Sequence, residues 1–179
     1  MMMQMLQAGG VRMYPTNSRS VDEDNPRGYF ECSPDRTPVT IDAIDLDGKA
    51  VKVTHPWILK VENLKIPYCV LMMRRSLVEV TRSQQLLACH RGQPIPEFET
   101  QLARLRAATL QLENWKRDKD VLTIDYGAIV KFPASAVLQV SSWLNKRGFP
   151  VLSQAMTDAI DSRLYRNRQA QIAELQKQP

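Results

Sequence analysis

The sequence predicts an α/β fold, a parallel sheet flanked by helices, and three observations carry that expectation. From residue 48 onward, short apolar runs of strand type alternate with longer helical patterns, the order that gives right-handed crossovers in a parallel sheet. The run IPYCVLMM, residues 66–73, is continuously apolar, as a strand buried on both faces requires. At 179 residues, with 44% hydrophobic and 24% charged side chains, the chain suits a single domain over 1–179 with a core of its own.

The elements follow in order. MMMQMLQAGG opens as a short helix of good helix formers, stopped by Gly9-Gly10. No Ser, Thr, Asp or Asn precedes it as a cap. Residues 11–48 show little periodicity and read as a long loop with short helical or strand pieces. After the turn at Asp47-Gly48, KAVKVT alternates as a strand that His55-Pro56 ends. SLVEVTRSQQLLACH, residues 76–90, is a helix whose start is marked by a capping box of Ser76 and Glu79.

A second helix spans about Glu97 to Arg117. Phe98, Leu102, Leu105, Thr109 and Leu112 recur at steps of four and three, with acids in the first turn and bases in the last. DVLTIDY, 120–126, is a strand. PASAVLQVSSWLNKRG is a helix with Pro133 near its first position and Gly148 just past its end. The tail from Ser153 is helical and charged, broken near Asp161. Trp115 and Trp143 fall on helical faces and read as core.

Composition narrows the function classes. No apolar run approaches the roughly 20 residues that span a bilayer. Cys32, Cys69 and Cys89 are odd in number with no CxxC spacing, so neither a disulfide framework nor a metal site is expected, and a reduced cytoplasm is the simplest compartment. The charge of +5, from 24 Lys+Arg against 19 Asp+Glu, leans mildly toward an anionic partner. Interleaved aromatics and reading motifs are lacking, so nucleic acid is not the expected one.

CVLMMRRSLVEVTRSQQLL carries the most chemistry. A strand delivers Arg74 and Arg75 to the C-terminal edge of the sheet, where open α/β sheets bind ligands, and a helix begins at once. Ser83 lies about two turns beyond Ser76 on one face, and the long Arg75 side chain can lie back along it. A guanidinium and a hydroxyl converging there make a phosphate site, each charge-assisted hydrogen bond contributing about 1.5–3 kcal/mol. Glu79 shares the face and repels a phosphate unless its capping role holds it back. Taken without this junction, a surface arginine and a solvated serine are the better description of Arg75 and Ser83, since surface charges are common.

An arginine at a strand end with a helix serine eight residues later resembles the 3′-phosphate-binding segment of the PAPS-dependent sulfotransferases. PAPS, 3′-phosphoadenosine-5′-phosphosulfate, is their sulfuryl donor. MMRRSLVEVTRSQ is similar to that segment in small bacterial members, where Ser76 would more often be Asp. DEDNPRGYFE, 22–31, resembles their Asn-Pro-x-Gly-aromatic-x-Glu loop, and VLTIDYGAIVKFP resembles their later strand–helix unit. The resemblance implies a fold of the P-loop nucleoside-triphosphatase type and sulfuryl transfer from PAPS to a hydroxyl or amine. It implies that Arg75 and Ser83 take the 3′-phosphate, with Arg74 a neighbour of open role. The acceptor is not encoded in any stretch of the sequence, and neither is the oligomeric state.

The family places a glycine-bearing loop of the type PRSGTS after its first, central strand and before a helix like MMMQMLQAGG. That loop wraps the 5′-phosphosulfate with backbone N–H groups. Neither the strand nor the loop is found here. Gly48-Lys49, the one Gly-Lys pair, lacks the upstream glycine and the following Ser or Thr of a phosphate loop. The resemblance therefore leads us to expect an N-terminally truncated form with little or no catalysis. The alternative is a non-catalytic nucleotide- or anion-binding protein that has lost the loop.

Sulfuryl transfer to a hydroxyl needs a proton acceptor, and histidine, with a pKa near about 6.5, suits the task. His55 is expected at the end of KAVKVT and so on the edge that carries Arg75. KVTHP resembles the Lys-Thr-His-Leu-Pro stretch of the larger cytosolic sulfotransferases, with Val53 where their lysine stands and Lys52 displaced by one. That implies His55 as catalytic base, while a histidine that merely closes a strand fits as well. His90 reads as a helix-dipole partner. Asp125 and Tyr126 could touch an acceptor, with a turn or cap the stronger reading. Glu31 and the acids 22–24 read as solvated loop, and Arg163, Arg166 and Arg168 as a solvated helix face.

Overall fold

The computed structural model describes residues 1–14, 30, 46–55, 57–59 and 66–164. The expectations for residues 22–24, Glu31, Arg166 and Arg168 lie outside the described residues. Helix α1, Met2–Ala8, buries Met2, Met5 and Leu6, the three-and-four spacing of one helical face. Gly9 caps it and touches a neighbouring helix: a Cβ there would stand 2.7 Å from the Met156 Cγ. Gly10, at φ 95°, then turns the chain into β1, Arg12–Met13.

β1 pairs in parallel with β2, Lys49–Ala50, matching Arg12 with Lys49 and Met13 with Ala50. The strand expected over KAVKVT therefore stops at its second residue. Residues 49–53 are all half-buried, so no alternation of buried and exposed faces extends the ladder.

The longer ladder joins β3, Val70–Arg74, to β4, Val121–Asp125, in parallel from Val70↔Val121 to Arg74↔Asp125. β3 starts four residues later than the apolar run suggests. Pro67 has no N–H for a ladder, and Val70 makes the first rung by donating to the Asp120 carbonyl at 2.9 Å. Every residue of β3 is half-buried or exposed, which corrects the expected strand buried on both faces. The single parallel sheet expected from the sequence takes the form of two separate two-stranded parallel ladders among the described residues.

Helix α2, Leu77–His90, follows β3 after two residues. Ser76 has N-cap geometry, but its side chain makes no capping hydrogen bond, so the expected capping box does not form. Helix α3, Phe98–Trp115, starts instead from an acidic cap: the Glu97 carboxylate accepts from the Glu99 and Thr100 amides. The two helices are joined by Gln101 to Gln84 and by Gln85 to the Pro96 carbonyl, with Arg82 over the Phe98 ring. Where the helix was expected to run on, a 3₁₀ turn over 116–118 leads to β4.

Asp125 ends β4 and caps α4, Tyr126–Lys131, by accepting from the Ala128 amide. α5, Pro133–Asn145, has Pro at its first turn and buries Ala136, Val137, Val140, Ser141 and Leu144. α6, Ser153–Asp158, buries Met156 and is tied to α1 by the Leu152 amide donating to the Gly9 carbonyl.

The main core gathers α1, α4, α5 and α6 on one face of the β3–β4 ladder, around Met5, Ile124, Ile129, Val140 and Met156. Side chains of this size contribute about 1.5–3 kcal/mol each when fully buried. Leu71, Met73 and Leu122 pack against that core, so Val121 and Thr123 belong to the opposite face. Trp115 is buried and Trp143 packs at the core's edge, as their helical positions suggest. No helix among the described residues is long and apolar enough to cross a membrane.

Candidate functional site

The C-terminal end of the β3–β4 ladder is where the sequence placed its chemistry. β3 ends on Arg74, opposite Asp125, and Arg75 lies between the strand and α2. Arg75 has a quarter of its side chain exposed, and its Nε donates to the Glu79 Oε2 at 2.9 Å. Glu79 is one turn into α2 and only 5% exposed, so it is a buried carboxylate that needs a cation. The Arg75 guanidinium also lies over the Tyr126 ring, 5.3 Å from its centroid. Burial pushes the Tyr126 hydroxyl pKa up; the Arg75 cation works against that shift and the Glu79 carboxylate adds to it.

Glu79 and Ser83 are spaced four apart and follow one another along one side of α2, while Arg75, in the link before the helix, reaches Glu79 through its guanidinium. Glu79 therefore stands between the guanidinium and the hydroxyl. No hydrogen bond joins Arg75 to Ser83; Arg75 is engaged by Glu79 and Tyr126, while Ser83 is half-buried one turn further on. Two like unit charges about 4 Å apart repel by roughly 4 kcal/mol at an effective dielectric near 20. A phosphate held by both Arg75 and Ser83 would meet a repulsion of this order unless Glu79 were neutralised or turned aside.

The other sequence candidates are dispersed. Arg74 is exposed, and its charge helps to hold the Glu113 carboxyl below its usual range, after the larger effects of Lys116. His55 is not at a strand end. β2 stops at Ala50 and belongs to a different ladder from β3, so the expectation that His55 shares the Arg75 edge is corrected. It occupies an exposed turn with its Nε2 2.9 Å from the Gln111 Oε1 of α3.

Asp125 is a helix cap, the reading its strand-end position favoured. His90 is the last residue of α2, and Arg163 is engaged by Asp161. Sequence reasoning did not foresee the Arg75–Glu79 pair or the Tyr126 ring beneath it. The four-residue spacing was the available signal for the pair; nothing local marked the ring, which arrives through the parallel register of β4. Comparison of the chain with protein-family models, with curated proteins and with solved structures finds no match.

Proposed function

We propose that the chain is a sulfotransferase-like protein of the P-loop nucleoside-triphosphatase type, with a β3–α2 corner that takes the 3′-phosphate of PAPS through Arg75 and Ser83. The associated reaction is transfer of the sulfuryl group to a hydroxyl or amine acceptor. The supporting observation is the junction itself: β3 of the parallel pair ends on Arg74, Arg75 follows, and the helix that carries Ser83 begins two residues after the strand. Arg74, exposed beside it, adds a second cation to the corner. In this reading the free thiols Cys69 and Cys89 accord with a cytoplasmic setting.

One observation favours the second reading, a non-catalytic nucleotide- or anion-binding protein. Arg75 already neutralises a buried carboxylate, so an anion must share the guanidinium with Glu79. A weak, exchangeable anion site fits that arrangement better than a tight donor site.

Calorimetric titration with adenosine 3′,5′-bisphosphate tests the proposal. Saturable binding that weakens severalfold in Ser83→Ala and disappears in Arg75→Ala, both shown to be folded by circular dichroism, supports it. Absence of binding to the wild-type chain, or binding indifferent to both substitutions, overturns it. Production of a sulfated acceptor from PAPS separates the enzyme from the binding protein.

A further inference from the structure

The face of β4 turned away from the main core carries a groove of about 420 Å³, lined by Glu113, Lys116, Arg117, Lys119, Val121 and Thr123. That volume lies in the range of small-molecule sites. Three of its lining residues are cations, and only one is a carboxylate. Lys116 is paired with Glu113, and the two lysines are not loose surface chains: Lys116 is 24% exposed and Lys119 14%. Lys119 is further fixed over the Trp115 ring at 5.2 Å, with Asp118, itself 81% exposed, as its carboxylate contact. Arg74 leaves β3 nearby, close enough for its charge to act on Glu113.

Three cations stand along one concave wall, Lys116 and Lys119 half-buried and paired with Glu113 and Asp118 and Arg117 exposed, so the wall keeps a net positive charge. The polar floor suits an anion as well. Thr123 offers a hydroxyl at mid-strand beside the aliphatic Val121, as a ligand with an ester oxygen and an apolar body requires.

We propose that this groove binds a phosphate-bearing small molecule of about nucleotide size, with Lys116, Arg117 and Lys119 neutralising the phosphate and Thr123 bonding to it. Arg75 is not among its lining residues, so the site stands independently of the donor corner. The groove's limited size favours a small ligand over a nucleic-acid strand.

The test uses inorganic pyrophosphate as probe, titrated into the full chain at low salt and followed by calorimetry. One saturable site is expected, weakened at least about tenfold in Lys116→Gln/Arg117→Gln, equivalent to about 1.4 kcal/mol. Arg117→Gln alone changes an exposed position and should weaken the probe by a smaller factor, which keeps the test readable if the double variant is poorly folded. Ser83→Ala, which should weaken adenosine 3′,5′-bisphosphate, should leave pyrophosphate unchanged, so this site and the donor corner fail separately. Absence of saturable binding overturns the proposal, as does binding untouched by the substitutions. So does a single-stranded oligonucleotide that binds in the same range and is not displaced by pyrophosphate.

Discussion

Two arginines grip opposite ends of the β3–β4 region with the same parts and different partners. Beyond the start of the ladder, Arg147 holds both carboxylate oxygens of Asp120, donates to the Trp143 carbonyl at 2.8 Å and lies 3.9 Å from the Trp143 ring centroid. At the other end, Arg75 holds Glu79 through Nε and lies over Tyr126. The first pair is a clamp between a helix terminus and a strand, with its carboxylate in solvent. The second hides its carboxylate inside the packing of α2. An arginine at a sheet edge is therefore not by itself a ligand site; the burial and fork geometry of its acid decide how much of the guanidinium is committed.

The comparison can be broken by removing one member of each pair in turn. Glu79→Ala removes the buried carboxylate that Arg75 holds and should destabilise the fold most, by about 3 kcal/mol, read as a lowered denaturation midpoint. Arg147→Ala should cost clearly less, and its effect should shrink as salt is added, because its partner is solvent-exposed. Equal losses in the two variants would erase the distinction.

A pH series sharpens it further. Hydrogen bonds from Arg147 hold the Asp120 carboxyl below its usual range, so its folded-state pKa is depressed. The pair's stabilisation is then fully present above the unfolded pKa of about 3.9 and is lost as the pH falls through the depressed value. The difference in melting temperature between wild type and Asp120→Asn should be present near about pH 7 and vanish near about pH 2. Ser83→Ala should have the smallest effect on stability, within about 0.5 kcal/mol, because its role is assigned to ligand rather than fold.

Much of the helical framework was legible because period and punctuation agreed. α2, α3 and α5 begin within a residue or so of where Ser76, Glu97 and Pro133 placed them. α4 was not separately visible, since six residues containing Gly127 are too few to show a period. The strands were less legible because a ladder depends on a partner as well as on apolar runs. KAVKVT alternates well, yet only two of its residues pair in the β1–β2 ladder. The same limit misplaced His55, whose position was argued from a strand end that does not exist.

At the site, the residues were visible and their couplings were not. Arg75 and Ser83 stand out in the strand–helix wording, and Glu79 was noticed as a cap. The structure turns that carboxylate toward Arg75, whose Nε donates to its Oε2. The KRDK stretch after α3 gave no functional signal in the sequence, since only folding places it over the outer face of β4.

The most direct measurement titrates adenosine 3′,5′-bisphosphate into wild type and Glu79→Gln side by side. Glutamine keeps the shape and one acceptor oxygen while removing the charge that opposes a phosphate between Arg75 and Ser83. Binding at least about tenfold tighter in the variant is the predicted result, a gain of about 1.4 kcal/mol or more, within the roughly 4 kcal/mol that a like charge about 4 Å away exerts. Identical affinities, or no heat from either protein, would contradict an anion site at this corner.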